Sequence, residues 1–290
     1  MLRYAVATPA RNEEGNLPRL AAALAAQTQP PTEWIVVDDG STDATPEILA
    51  ELAKEHPWIK RLARTETDAT AINAGRRQAR DLDGFRRGVG ALTEPYDVVI
   101  KIDADVSVEP DFGAQLMAGF EAEPELALAS GTCYEDEDGT WVRRTKADTT
   151  VWGATRAYRA DVVDILMGLE PFMGWDGLDE IQVQLRGLTT KTFVDLPFKH
   201  HRPEGGRELT SLHQGEALGR ASYYMGYRPT YLAMRALYRA RREPAALAML
   251  WGYAAAAARR DRRCPDAAVV RTLRERQRLG VALRRGAPAS

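Results

Sequence analysis

Two carboxylate pairs stand where apolar runs end. Asp38 and Asp39 follow Trp34–Val37, and Asp103-Ala104-Asp105 follows the run that closes at Ile102. Carboxylates this close repel unless a cation or hydrogen-bond donors offset them. The i, i+2 spacing of Asp103 and Asp105 suits a hard divalent ion that also holds phosphate oxygens of a substrate. A solvated turn is the plainer reading of the same spacing. A third cluster, Gly174-Trp-Asp-Gly-Leu-Asp-Glu180, precedes a helical stretch that ends near Arg186. Asp176, Asp179 and Glu180 are its candidate general bases. An N-cap role competes for Asp176 and Asp179, because the helix dipole favours carboxylates at that end. The fourth cluster is Lys199-His200-His201-Arg202-Pro203. Adjacent histidines point in different directions, so one of the two is expected to complete a metal site, with Arg202 pairing a phosphate.

These groups need a frame. Arg3–Thr8, Trp34–Val37, Ile59–Ala63, Tyr96–Ile102, Leu126–Ser130 and Thr192–Leu196 read as strands. The continuous apolar character of Trp34–Val37 fits a strand buried on both faces. Asn16–Gln27 reads as a helix, with Leu17, Leu20, Ala21 and Leu24 on one side and Pro30-Pro31 stopping it. Thr45-Pro46 looks like an N-cap followed by proline at the first helical position. Alternating strands and helices predict an α/β fold with a largely parallel sheet, which binds ligands at the carboxyl ends of its strands. From Leu209 onward the strand signal disappears, and Leu218–Arg242, Pro244–Arg263 and Asp266–Arg285 read as helices. Composition and charge sign change near Arg202–Arg207, which predicts two parts, residues 1–203 and 204–290.

The 290 residues are 44% hydrophobic and 28% charged, which excludes global disorder and collagen. Two cysteines, Cys133 and Cys264, exclude a disulfide scaffold and a Cys-rich zinc site. The N-terminus lacks the pattern of a secretory signal, and no run of 18 apolar residues exists, so a cytoplasmic chain is expected. Gly88-Val-Gly90 lacks the third glycine of a dinucleotide loop, and no G-x-S-x-G, H-E-x-x-H or C-x-x-C is present. The net charge of −2 hides an asymmetry: residues 202–290 hold 18 arginines, no lysine and 7 acids.

In this order along one α/β chain, the clusters resemble the family 2 glycosyltransferases, inverting enzymes with the GT-A fold. The resemblance rests on Pro9-Ala-Arg-Asn-Glu-Glu14, Val37-Asp-Asp-Gly-Ser-Thr-Asp43, Lys101-Ile-Asp-Ala-Asp105 and the acidic helix start at Gly174–Arg186, and covers roughly residues 3–203. Val151-Trp-Gly-Ala-Thr-Arg-Ala-Tyr158 and His200-His-Arg-Pro203 look like a bacterial subgroup. The resemblance implies a GT-A mixed, mostly parallel sheet flanked by helices, with a C-terminal helical extension. It implies that Pro9, Arg11 and Glu13 contact the nucleotide, that Asp39 hydrogen-bonds the base with Asp38 nearby, and that Asp103 meets ribose and metal. Asp105 is the surer ligand for Mg²⁺ or Mn²⁺, and Ser107 with His201, or His200, completes the coordination.

The family's usual Glu-Asp pair before the helix is inverted here. Counting back from Gly187 puts the base at Asp176, and counting back from Arg186 puts it at Glu180. Asp179 lies between and ranks first. Leu82–Leu92 is long and arginine-bearing, with Arg76 or Arg77 near the diphosphate as one reading and a solvated helix as the other. Sugar choice is expected in loops such as Cys133–Thr145 and Gly168–Gly177.

The expected function is transfer of a sugar from a UDP- or GDP-linked donor to a carbohydrate or lipid-linked acceptor hydroxyl, in one metal-dependent displacement. A catalytically silent scaffold or membrane-surface protein of the same fold is the alternative. A sugar nucleotidyltransferase would need a glycine-rich N-terminal loop, and Ala7–Gly15 holds one glycine. No nucleic-acid module is recognisable. The aromatic and arginine-rich C-terminal helices have three readings: packing on the core or a second subunit, peripheral contact with the inner face of the membrane, and carbohydrate stacking.

Overall fold

A computed structural model describes residues 1–63, 80–144, 150–202 and 211–278. Four strands form its parallel half: β1 (Tyr4–Ala10), β2 (Trp34–Asp38), β3 (Ile59–Ala63) and β4 (Val98–Ile102), in the order β3-β2-β1-β4. Five more complete one mixed sheet: β5 (Val106–Val108), β6 (Leu126–Glu137), β7 (Thr140–Arg143), β8 (Thr155–Arg159) and β9 (Thr189–His200). Beyond β4 the order is β8-β6-β9-β5, with β7 hairpinned onto β6. Antiparallel pairs enter here, at β4–β8, β6–β8, β6–β7 and β5–β9, while β6 and β9 run parallel.

Side chains alternate across the sheet and so build two apolar layers. Tyr4, Val6, Ile100 and Ile102 join α1 (Leu17–Ala25), α2 (Thr45–Glu55) and α4 (Phe112–Ala122) on one face. Ala7, Val99 and Tyr158 join α3 (Arg80–Gly90), α5 (Val163–Gly168) and α6 (Trp175–Leu185) on the other. α3 lies so close to β1 that a Cβ on Gly88 would stand 2.9 Å from the Ala7 Cβ. The Leu82–Leu92 stretch is therefore amphipathic, with Leu82, Phe85 and Val89 buried, rather than a wholly solvated helix. Arg76 and Arg77 lie outside the described residues.

Among the described residues four C-terminal helices follow: α7 (Ser211–Tyr224), α8 (Pro229–Ala240), α9 (Ala248–Ala258) and α10 (Ala267–Arg276). Tyr224 stacks on Phe172 with ring centroids 4.0 Å apart and donates to Glu170 at 2.9 Å, and Val269 of α10 is fully buried in the same layer. α7 and α10 thus close the second face of the sheet. The boundary expected at 203/204 falls outside the described residues.

Several expectations shift. The helix expected over Leu218–Arg242 is two, broken where Gly226 takes φ +76° ahead of Pro229. Pro244–Leu247 is a 3-10 turn before α9. Thr45 does not cap α2: it is the first helical residue, its hydroxyl accepts from the Glu13 amide at 2.8 Å, and Asp43 accepts from the Thr45 amide at 3.0 Å. β6 and β9 are 12 residues each, far longer than the runs Leu126–Ser130 and Thr192–Leu196.

Candidate active site

The parallel strands end together at one edge. Ala10 lies opposite Asp38, and Ala7 opposite Lys101, so Arg11, Asp39 and Asp103 leave the sheet side by side. Asp39 is ion-paired with Arg80 and donates its amide to the Ala10 carbonyl at 2.8 Å. Asp38 is buried; Arg61 donates to its Oδ2 at 2.7 Å and the Ser41 amide to its Oδ1 at 3.0 Å. Asp38 therefore orders the turn after β2, and Asp39 faces the edge. Pro9 sits on β1 against α3, and Arg11 is half-buried at the strand's end.

The long strand β9 brings the fourth cluster to the second. His200 lies opposite Val106 of β5 and opposite Glu135 of β6. Asp103, Asp105 and His200 each offer one ligand atom, all within 4.8 Å of one another. His200 Nε2 is 3.3 Å from Asp105 Oδ1, and its Nδ1 is 3.7 Å from Glu135 Oε1. Glu135 is fixed in turn by the Arg144 Nε at 2.7 Å. Burial alone would raise the Asp105 carboxyl, but His200 and then Arg202 outweigh it and hold it well below the usual carboxylate range. Two carboxylates beside a histidine are a donor set that fits Mg²⁺ or Mn²⁺.

His201 is placed differently from the expectation. Its side chain turns away, with Nε2 2.8 Å from Ser107 Oγ and the ring edge-on to Trp141 at 5.2 Å. Successive side chains of an extended chain point to opposite sides, so His200 joins the carboxylates while His201 and Ser107 pair with each other. Glu13 also has a different neighbour. Both its oxygens accept from Arg202, at 2.7 and 2.9 Å, and Arg202 Nε donates to Asp105 at 2.6 Å. Asn16 donates to Glu13 at 2.6 Å, and Arg19 to Asn16 at 2.5 Å. Arg202 and Arg19 bring positive charge to this acidic edge, as phosphate recognition requires.

The third cluster divides. The N-cap of α6 is Gly174, with φ +89° and no side-chain cap, so neither Asp176 nor Asp179 caps the helix. Asp179 is fully buried. Arg156 of β8, also fully buried, donates to its Oδ1 at 2.6 Å and its Oδ2 at 2.9 Å, and Tyr158 donates to the same Oδ2. Burial disfavours the Arg156 charge, but Asp179 outweighs it and keeps the guanidinium protonated. Both Asp179 oxygens are thus engaged by Arg156, Tyr158 and the Glu180 amide. Asp176 is half-buried, and its carbonyl accepts from Arg156 at 2.6 Å.

Glu180 stands at the rim. Its Oε1 accepts from the Val151 amide at 2.8 Å and lies 3.3 Å from Arg156, while its Oε2 has no partner among the described residues. Burial pushes its carboxyl up to about 7, against the lowering by Arg156. The segment it touches runs into the acidic edge. The Gly153 carbonyl accepts from Lys101 at 3.2 Å, Lys101 pairs with Asp103, and the Asp103 amide donates to the Ala154 carbonyl at 3.0 Å. Residues 151–154 therefore join Glu180 to the carboxylate pair.

A family model described as "Glycosyl transferase family 2" matches residues 5–173, more than half of the chain. The chain belongs to glycosyl transferase family 2. It is 33% identical over 200 residues to a beta-monoglucosyldiacylglycerol synthase of Nostoc sp., covering 66% of this chain and 40% of that protein. It is 29% identical over 185 residues to an undecaprenyl-phosphate 4-deoxy-4-formamido-L-arabinose transferase of Proteus mirabilis, covering 57% and 51%. The chain thus spans about half the length, or less, of these curated relatives. Its fold is similar to that of the mannosyltransferase PcManGT from Pyrobaculum calidifontis, solved with GDP-Man and Mn²⁺ (TM-score 0.58, 20% identity, 99% of this chain and 82% of that one). It is also similar to S. aureus TarS 1-349, solved with UDP-GlcNAc (TM-score 0.56, 16% identity, 75% and 65%). These likenesses show the GT-A arrangement: a mixed α/β sheet flanked by helices.

The site residues that the sequence reading overlooked are Lys101, Arg156, Glu135, Arg144 and Arg19. Lys101 and Arg156 lie inside the quoted signatures, but charged residues in a strand read as solvent-facing unless a buried partner is known. Glu135 and Arg144 are legible only once β6 and β9 are paired.

Proposed function

We propose that this glycosyltransferase moves a sugar from a UDP- or GDP-linked donor to an acceptor hydroxyl with inversion, using a divalent metal and one general base. The observation that carries the reading is the grouping of Asp103, Asp105 and His200 at the strand ends, joined through residues 151–154 to Glu180. Asp103, Asp105 and His200 would hold Mg²⁺ or Mn²⁺, which as a Lewis acid neutralises the charge that develops on a departing nucleoside diphosphate. The named relatives that carry GDP-Man or UDP-GlcNAc support a nucleotide-sugar donor. Those named for undecaprenyl-phosphate and diacylglycerol support a lipid-linked acceptor.

This chain's own groups do the rest. Arg11 and Asp39 flank the place for the nucleoside, and Asp38 holds the turn that presents Asp39. Arg202 and Arg19 bind phosphate, Arg202 exchanging part of its hold on Glu13 and Asp105 for the diphosphate. Glu180 Oε2 takes the proton of the acceptor hydroxyl as its oxygen attacks the anomeric carbon. A carboxyl near 7 is poised for this at neutral pH. Asp179 and Arg156 position Glu180 from beneath.

The two histidines give the sharpest test. Nucleotide release from UDP- and GDP-sugars, measured across Mn²⁺ concentrations, should show His200→Ala shifting half-saturation upward by about 10–100-fold. His201→Ala should stay close to wild type. A shift in His201→Ala with none in His200→Ala would overturn the metal assignment.

A further inference from the structure

Helix α9 has no charged side chain along its length, AMLWGYAAAAA. Its inner face is fully engaged. Met249, Gly252 and Ala256 are buried, and α7 comes so close that a Cβ on Gly252 would meet the Glu216 carbonyl oxygen at 2.1 Å. Its outer face is the anomaly. Leu247, Leu250, Trp251, Ala254 and Ala258 recur at helical spacing, and all are exposed. Trp251 is 69% accessible, Leu247 44% and Leu250 37%. A surface helix normally offers water a polar stripe, and a contiguous apolar one marks an interaction site.

The ends of the stripe say what covers it. Arg241 and Arg242 precede it and Arg259, Arg260, Arg262 and Arg263 follow it, with Glu243 and Asp261 among them in sequence; Arg259 pairs with Asp261 and Arg262 with Glu170. The guanidinium groups of Arg242 and Arg260 have no partner among the described residues. Arg260 moreover takes φ +55°, the left-handed position just past a helix end where glycine is usual. A side chain kept at a strained position points to a use for it. A second copy packed stripe to stripe would set arginines against arginines at both ends, in either orientation, which like charges oppose. An anionic lipid surface meets both demands: acyl chains take the apolar stripe, headgroups take the arginines. Among the described residues no helix is long and apolar enough to cross a membrane, so the contact lies along the surface.

We propose that the outer face of α9, from Leu247 to Ala258 with its flanking arginines, docks this chain onto an anionic bilayer. The inference stands on the C-terminal helices and not on the donor chemistry. Cosedimentation with phosphatidylcholine vesicles containing about one quarter phosphatidylglycerol, against pure phosphatidylcholine, tests it. Preference for the anionic vesicles should be on the order of tenfold and fall with salt, since each arginine near the surface is worth roughly fivefold. Trp251→Glu should cut binding at least about tenfold by putting a charge into the apolar stripe. Arg242→Gln with Arg260→Gln should erase the anionic preference. Both variants should keep wild-type circular dichroism and wild-type stabilisation by nucleotide with Mn²⁺, because the substituted side chains are exposed and distant from the strand ends. No binding to anionic vesicles, or Trp251→Glu binding as wild type does, would overturn the proposal. So would a dimer in sedimentation equilibrium that Trp251→Glu dissociates, without vesicle binding.

Discussion

Glu180→Gln is expected to lower the rate of sugar transfer by about 10³, within the 10²–10⁴ that a positioned general base contributes. The amide can still accept from the Val151 N–H, so the rim should keep its shape, and donor binding should remain near wild type. A loss in kcat with little change in donor affinity is the signature of a group that acts in the transition state. The pH profile gives a second readout. A base works deprotonated, and burial places the Glu180 carboxyl at about 7. In the wild type, kcat/KM should therefore fall about tenfold per pH unit below that value and level off above it. Asp176→Asn should change the rate little. If Asp176→Asn removes activity and Glu180→Gln does not, the base lies one turn earlier on α6.

Asp179→Ala carries the second large effect, on stability. Arg156 and Asp179 are both fully buried, and the guanidinium spans Asp179, the Val151 carbonyl and the Asp176 carbonyl. Removing one partner of a buried pair strands the other charge in a low dielectric, at a cost of about 3–5 kcal/mol. Against a typical total of roughly 5–15 kcal/mol, that is enough to leave much of the chain unfolded at 37 °C. The midpoint of urea unfolding is the measurement. A variant that unfolds where the wild type does, yet loses transfer about 10³-fold, would return Asp179 to the role of base.

These two residues also show why the sequence was readable in some places and not in others. Asp179 and Glu180 are adjacent carboxylates, and the registers disagree: counting from Arg186 points to Glu180 and counting from Gly187 to Asp176, with Asp179 between. What separates them is Arg156, on a strand that the sequence hides: Thr155–Arg159 contains two arginines and reads as polar. The parallel half was legible because doubly buried strands leave near-continuous apolar runs, as in Trp34–Val37. β5 has only three residues, β7 is largely exposed, and β6 and β9 carry Thr, Lys and Glu, so their pairing was not. The candidate metal cluster was half visible. Asp103-Ala-Asp105 is local in sequence, whereas the choice of His200 over His201 depends on which face of the sheet each side chain takes at the end of β9.

Thermal stability of the wild type and of Asp105→Ala, each with UDP or GDP, Mn²⁺ and chelator in turn, tests the donor site most directly. Ligand bound only by the native state stabilises it by mass action, about 2.7 kcal/mol at a hundred times Kd. One of the two nucleotides should raise the melting temperature of the wild type with Mn²⁺, and chelator should abolish the rise. Asp105→Ala, compared with its own unliganded baseline, should show none. No shift with either nucleotide at millimolar concentration, or a shift indifferent to chelator and to Asp105→Ala, would contradict a metal-assisted nucleotide-sugar site at these strand ends.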